Sequence, residues 1–138
     1  MAIGERTAEE IKCTVGSAVR TSGKSIAVKG LDLITGIPKT VQVSSDEIRL
    51  ALSEPVYQIT AAIKRALDKT PPEHASDLID FGIIMTGGGA QLKGLDEHIK
   101  NKTGLPVHVA EDPLSCVAVG TGKALDQEET FSTMLSEY

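Results

Sequence analysis

The chain has 138 residues, 41% of them hydrophobic and 24% charged, with a net charge of −5 from 14 basic and 19 acidic side chains. That length and balance suit one globular domain with a modest core, and its apolar runs fall far short of the ~20 residues a membrane-spanning helix needs. An acidic chain with no basic tract is a poor partner for nucleic acid or an acidic membrane surface. Residues 1–6 lack the basic-then-apolar pattern of a secretory leader, so a cytoplasmic protein is expected.

In chain order, Thr7-Ala8-Glu9-Glu10 offers a capping box, and Ile11, Val15 and Ala18 recur at helical spacing, which predicts a helix to about Val19. Thr21-Ser22-Gly23-Lys24 breaks it. Residues 25–29 and 39–43 alternate apolar and polar side chains, and the stretch 31–38 between them predicts a β-hairpin with a long loop. Ser44-Ser45-Asp46-Glu47 is a second capping box, opening a short helix on Ile48 and Leu52. Proline is tolerated in the first turn of a helix but not in its middle, so a fresh helix is expected near Pro55, striped by Val56, Ile59, Ile63 and Leu67. Thr70-Pro71-Pro72 ends it, and residues 73–80 hold one or two further helical turns. Ile83-Ile84-Met85 reads as a strand, 92–102 as a helix stopped by Gly104, and 106–110 as a second strand. Pro113 opens a helix over 114–125, and 127–138 is a polar tail, with a last helix as the alternative.

Cys13 and Cys116 lie in apolar helical contexts and read as small buried thiols, with a disulfide as the alternative. His74, His98 and His108 have no metal-ligand spacing and read as surface residues. The stretch 83–110 has the length of a right-handed βαβ crossover with parallel strands. Two parallel strands alone make a poor sheet, however, since parallel sheets need several strands and cover on both faces. With four aromatic residues in all, the sequence reads as part of a larger domain.

The chemistry-bearing motif is Thr86-Gly87-Gly88-Gly89, between the strand and the next helix. A P-loop is excluded: Gly89 and Gly94 have its spacing, but Leu95-Asp96 stand where lysine and a hydroxyl are required. The dinucleotide fingerprint fails because Leu92 occupies the position of its third glycine. Gly120-Thr121-Gly122-Lys123 is also incomplete and suggests close helix packing. Glycines at the end of a strand leave free amides beside a crevice, so ligand contact and a plain chain turn both remain open.

Ile3-Gly4-Glu5-Arg6-Thr7-Ala8-Glu9, Thr70-Pro71-Pro72-Glu73, residues 82–89 and Glu111-Asp112-Pro113-Leu114-Ser115-Cys116-Val117-Ala118, in that order, resemble the C-terminal part of the MreB family of bacterial actin homologues. The resemblance covers residues 3–126. It implies an α/β fold with α+β character, a partial second domain of the actin-like, ribonuclease H-like ATPase fold. Residues 1–70 would hold the first helix and an outer subdomain (hairpin 25–43, helices 46–69). Residues 71–126 would form an incomplete inner subdomain with the adenosine motif and the βαβ unit, and 127–138 a variable tail.

By the same resemblance, Gly88, Gly89, Ala90 and Gln91 would pack against the adenosine of ATP or ADP, with Gly87 supplying the bend. Glu9 and Lys12, three apart on one helix face, would reach base and ribose, solvated helix charges being the alternative. Pro113 would open a connecting helix near the hinge. The family's two phosphate motifs and its catalytic acid do not occur in this sequence, so magnesium would be held only through another half. The expectation is weak or absent nucleotide binding and no hydrolysis by this chain alone. The resemblance further implies filament-forming self-association, an N-terminal half or cell-shape membrane proteins such as RodZ as partners, and a place at the inner face of the plasma membrane without insertion into it. A filament-interface or partner-binding segment with no nucleotide role is the alternative.

Overall fold

A computed structural model of the chain describes residues 1–21 and 23–127. The tail expected over 127–138 therefore lies, but for Gln127, outside the described residues. The elements in order are α1 (Glu5–Val15), β1 (Ser25–Leu31), β2 (Pro38–Ser44), α2 (Ser45–Asp68), α3 (Ala75–Asp80), β3 (Ile83–Met85), α4 (Leu95–Thr103), β4 (Val107–Val109) and α5 (Cys116–Asp126), with short 3-10 turns at Pro72–His74 and Gly88–Gln91. Both expected sheet motifs form. β1 and β2 are antiparallel, with Ile26 opposite Val43 and Val28 opposite Val41. β3 and β4 are parallel, with Ile83 opposite Val107 and Met85 opposite Val109.

The first helix departs from expectation at both ends. The amide of Ala8 already donates to the carbonyl of Gly4 at 3.0 Å, so α1 starts at Glu5 and Thr7 sits inside it instead of capping it. It stops at Val15 because the chain turns extended at Gly16. A Cβ there would fall 2.2 Å from the Lys12 carbonyl oxygen, so the exit path needs glycine. Past it, Ser17 pairs with Lys93 in a parallel bridge.

α2 is one helix of 24 residues, not two, and Pro55 lies inside it. Its start is as expected: the Ser44 amide donates to the Glu47 carboxylate at 2.8 Å and the Glu47 amide donates to the Ser44 hydroxyl at 3.3 Å. Proline removes one amide, leaving the Ala51 carbonyl without its helical donor. Both residues are exposed, so water can replace that donor and the helix continues. The inner stripe also differs: Val56 and Thr60 are buried while Ile59 is 42% exposed. Thr60 is tolerated there because its hydroxyl donates to the Val56 carbonyl at 2.9 Å.

The core has two parts joined by α2. Ile11, Val15 and Val28, with Ile26, Val43 and Ile48 against them, bind α1 to the hairpin. Val56, Leu95 and Ile99, with Leu52, Ile63, Ile83, Met85 and Val107, bind α2 and α4 to the parallel pair. Neither cysteine is buried: Cys13 is exposed, Cys116 half-buried, and the two are not bridged. Cys13 lies off the Ile11–Val15 stripe, which accounts for its exposure. Gly120 and Gly122 have nothing within 4 Å of a would-be Cβ, so the close packing expected of them does not occur among the described residues.

Candidate functional site

β3 delivers the glycine turn to the C-terminal edge of the parallel pair. Gly87 adopts φ 81 and ψ 171, a conformation that side-chain-bearing residues avoid. Its amide donates to the Pro113 carbonyl at 2.6 Å, which ties the turn to the segment ahead of α5. Gly88–Gln91 then close a 3-10 turn, the Ala90 amide donating to Gly87 at 3.2 Å and the Leu92 amide to Gly89 at 3.1 Å.

The residues of this turn have distinct surroundings. Ala90 is 6% exposed and plugs the turn from below, while Gly88, Gly89 and Gln91 face outward. Neither Gly88 nor Gly89 has a positive φ. A Cβ on Gly89 would meet nothing within 4 Å, and one on Gly88 only Leu114 Cδ2 at an ordinary 3.5 Å. Backbone conformation and internal packing therefore both leave room for side chains at 88 and 89. Gly87 accounts for the bend; its two neighbours present bare backbone to the outside.

Glu9 and Lys12 are both exposed on α1. They line a shallow apolar depression toward α2, together with Ile3, Ile48 and Leu52. Among the described residues no hydrogen bond joins either one to the glycine turn. The connection runs instead through the end of their helix. The Lys93 ammonium donates to the Thr14 carbonyl at 2.9 Å. The Lys93 carbonyl in turn accepts from the Ala18 amide at 2.8 Å and the Ser17 hydroxyl at 3.1 Å. Ser17 is 1% exposed, so its half of the latch is shielded from water, while the Lys93–Thr14 bond lies at the surface. Sequence reading missed Ser17 and Lys93, which lie 76 positions apart and carry no shared motif.

Chemically, the site offers open backbone and two exposed charges. Among the described residues no cluster of three or more His, Cys, Asp or Glu side chains gathers to hold a metal ion. The donor set suits contact with a flat, largely uncharged group more than a grip on phosphates.

Comparison with known proteins bears on what that group is. The family model described as MreB/Mbl protein matches residues 1–133. The cell shape-determining protein Mbl of Bacillus subtilis (strain 168) is 47% identical over 125 residues, covering 90% of this chain and 38% of that protein. The cell shape-determining protein MreB of Escherichia coli (strain K12) is 49% identical over 125 residues, covering 90% and 36%. Among solved structures, MreB5 of Spiroplasma citri bound to ADP superposes with a TM-score of 0.86 at 35% identity, covering all of this chain and 41% of that one. The MamK double helical filament has a TM-score of 0.65 at 20% identity over 82% of this chain, a likeness of fold. The chain thus spans well under half the length of these curated relatives.

Proposed function

Because the chain belongs to the MreB/Mbl family, we propose that its glycine turn is the adenosine-facing wall of a nucleotide site in a cell-shape-determining, filament-forming actin homologue. The observation that carries this reading is the open space over Gly88 and Gly89, which nothing among the described residues requires to be glycine. An approaching base and ribose would require it, because a side chain on either residue would stand where the ligand packs. Gly87 sets the bend, Ala90 supports the turn from beneath, and Gln91 flanks it. Glu9 and Lys12 reach base and ribose from α1, held at a set distance by the Lys93 latch. The structure of MreB5 bound to ADP, with a TM-score of 0.86 over the whole chain, supports adenine nucleotide as the ligand.

ATP or ADP is therefore the cofactor, bound weakly by this chain alone, because the charge-assisted phosphate contacts that make such sites tight are not among its residues. On the same reading magnesium is held only by groups outside this sequence, and the chain releases no phosphate from ATP by itself. The filament likeness supports self-association as the working state, with an N-terminal half or a cell-shape membrane protein such as RodZ as further partners at the cytoplasmic face of the membrane. No helix among the described residues is long and apolar enough to cross a membrane.

Calorimetric titration with ATP and with adenosine tests the assignment. The expected result is weak binding of similar strength for both, and at least about a tenfold loss in Gly89→Leu with an unchanged unfolding midpoint. An unaltered affinity in Gly89→Leu overturns the adenosine wall. A second reading, a filament interface without a nucleotide role, draws on the hairpin tip, where Leu33, Ile34 and Ile37 are 70%, 95% and 64% exposed.

A further inference from the structure

Away from the glycine turn, α2 and α4 flank an open cavity of about 500 Å³, within the range of roughly 300–1,000 Å³ of small-molecule sites. Its lining is cationic. Arg49 and Lys64 enter from α2, His98 and Lys102 from α4, and Tyr57 and Val56 contribute the apolar wall. Among the described residues no aspartate or glutamate lines it, in a chain whose net charge is −5.

The gathering follows from helical geometry. Arg49, Val56 and Lys64 lie within roughly a 90° arc of α2 at 100° per residue. His98 and Lys102 share one face of α4 as an i, i+4 pair. Among the described residues Lys64 and Lys102 make no ion pair, and Arg49 meets only Asp46, through Nε at 3.4 Å, which leaves the terminal nitrogens of its guanidinium available. The hydroxyls of Ser53 and Thr60, also in the lining, are spent on the Leu50 and Val56 carbonyls. The donors left for a ligand among these residues are therefore the Arg49, Lys64 and Lys102 cations, the His98 imidazole and the Tyr57 phenol.

We propose that this cavity is a second ligand site, separate from the glycine turn, that takes a linear phosphate-bearing anion with charge on more than one group. Like charges gathered around a concave surface repel one another, and an anion relieves that repulsion while gaining charge-assisted hydrogen bonds. Arg49 and Lys64 are fifteen residues apart on α2, about 22 Å along the axis at 1.5 Å per residue, so a ligand that meets both must carry separated charges. A lone orthophosphate cannot span them. Tripolyphosphate, though shorter than that distance, can span the i, i+4 pair His98 and Lys102 and meet one of the two α2 cations, and a longer polyphosphate can meet both.

Titration of histidine-labelled protein with tripolyphosphate, followed by NMR of the imidazoles, is the test. His98 lines the cavity, while His74 and His108 are exposed elsewhere and serve as internal references. Tripolyphosphate is expected to shift His98 alone, saturably, at least about tenfold more tightly than orthophosphate and with a steep salt dependence. Lys64→Ala with Lys102→Ala, both at exposed positions, should weaken it at least about tenfold, while Lys123→Ala and Gly89→Leu leave it unchanged. Equal shifts at all three histidines, or equal affinity for orthophosphate, would overturn the proposal. So would a glutamate-rich peptide binding as tightly as tripolyphosphate, which would mark the groove as a protein-docking surface.

Discussion

At the scale of single residues, the Ser44–Glu47 pair joins local sequence to measurable behaviour. The Ser44 backbone amide, and then its hydroxyl, hold the Glu47 carboxyl below the ordinary glutamate range. A pKa lowered in the folded state contributes stability that is complete above the unfolded value and is lost as pH falls through the folded value. Wild type should therefore exceed Glu47→Gln in stability at neutral pH, and the difference should vanish on acidification below the carboxylate range. Urea titrations of both proteins across the acid range measure it, and a difference that does not shrink as pH falls would remove the charge as the cause. Asp32 is lowered in the same sense, first by Lys39 at 2.6 Å and then by the Ile34 amide, but an exposed loop pair contributes little to stability. The capping box was legible because it is complete within four residues. That Gly88 and Gly89 look outward was not, since a glycine's reason lies in what surrounds it.

At the scale of elements, α2 is the informative case. A proline ordinarily marks a helix boundary, yet α2 continues past Pro55 and carries both halves of the core. Packing of half-buried Ile48 and Leu52 before the proline, and of buried Val56 and half-buried Ile63 after it, keeps both segments helical against the cost of one missing hydrogen bond. Pro55→Ala should restore an amide to the Ala51 carbonyl and raise unfolding free energy by roughly 1–3 kcal/mol, partly offset by greater freedom in the unfolded chain. Chemical denaturation with helix-sensitive circular dichroism checks this, and a destabilised variant would argue against one continuous helix. α1 errs the other way: its pattern continues to Ala18, but Gly16 and the bridge to Lys93 stop it early.

At the scale of the whole molecule, seven apolar side chains are buried among the described residues, against eighteen large hydrophobics that are exposed. The exposed set includes Ile84 of β3, Phe81, and Leu114, Val117 and Leu125 in and ahead of α5. With so small a core, each buried contact carries a large share of a total of about 5–15 kcal/mol. Ile99, 1% exposed between α2 and the parallel pair, is the sharpest instance. Ile99→Ala should cost about 2–5 kcal/mol and shift the unfolding transition of the whole molecule, not of α4 alone. A loss under 1 kcal/mol would mean that the cluster can collapse around the cavity.

The sequence by itself determined the α/β class, the hairpin, the cap of α2, the βαβ unit, the place of the glycine turn and the likeness to bacterial actins. Each of these is written in periodicities or motifs a few residues long, where neighbouring side chains decide the outcome. Tertiary structure alone decided where α1 stops, that α2 ignores its proline, that Ser17 and Lys93 latch the glycine turn to the first helix, and that Arg49, Lys64, His98 and Lys102 share one cavity. Those outcomes join residues from α2 to α4, or as many as 79 positions apart, and only the packing of helices against one another brings such partners within reach.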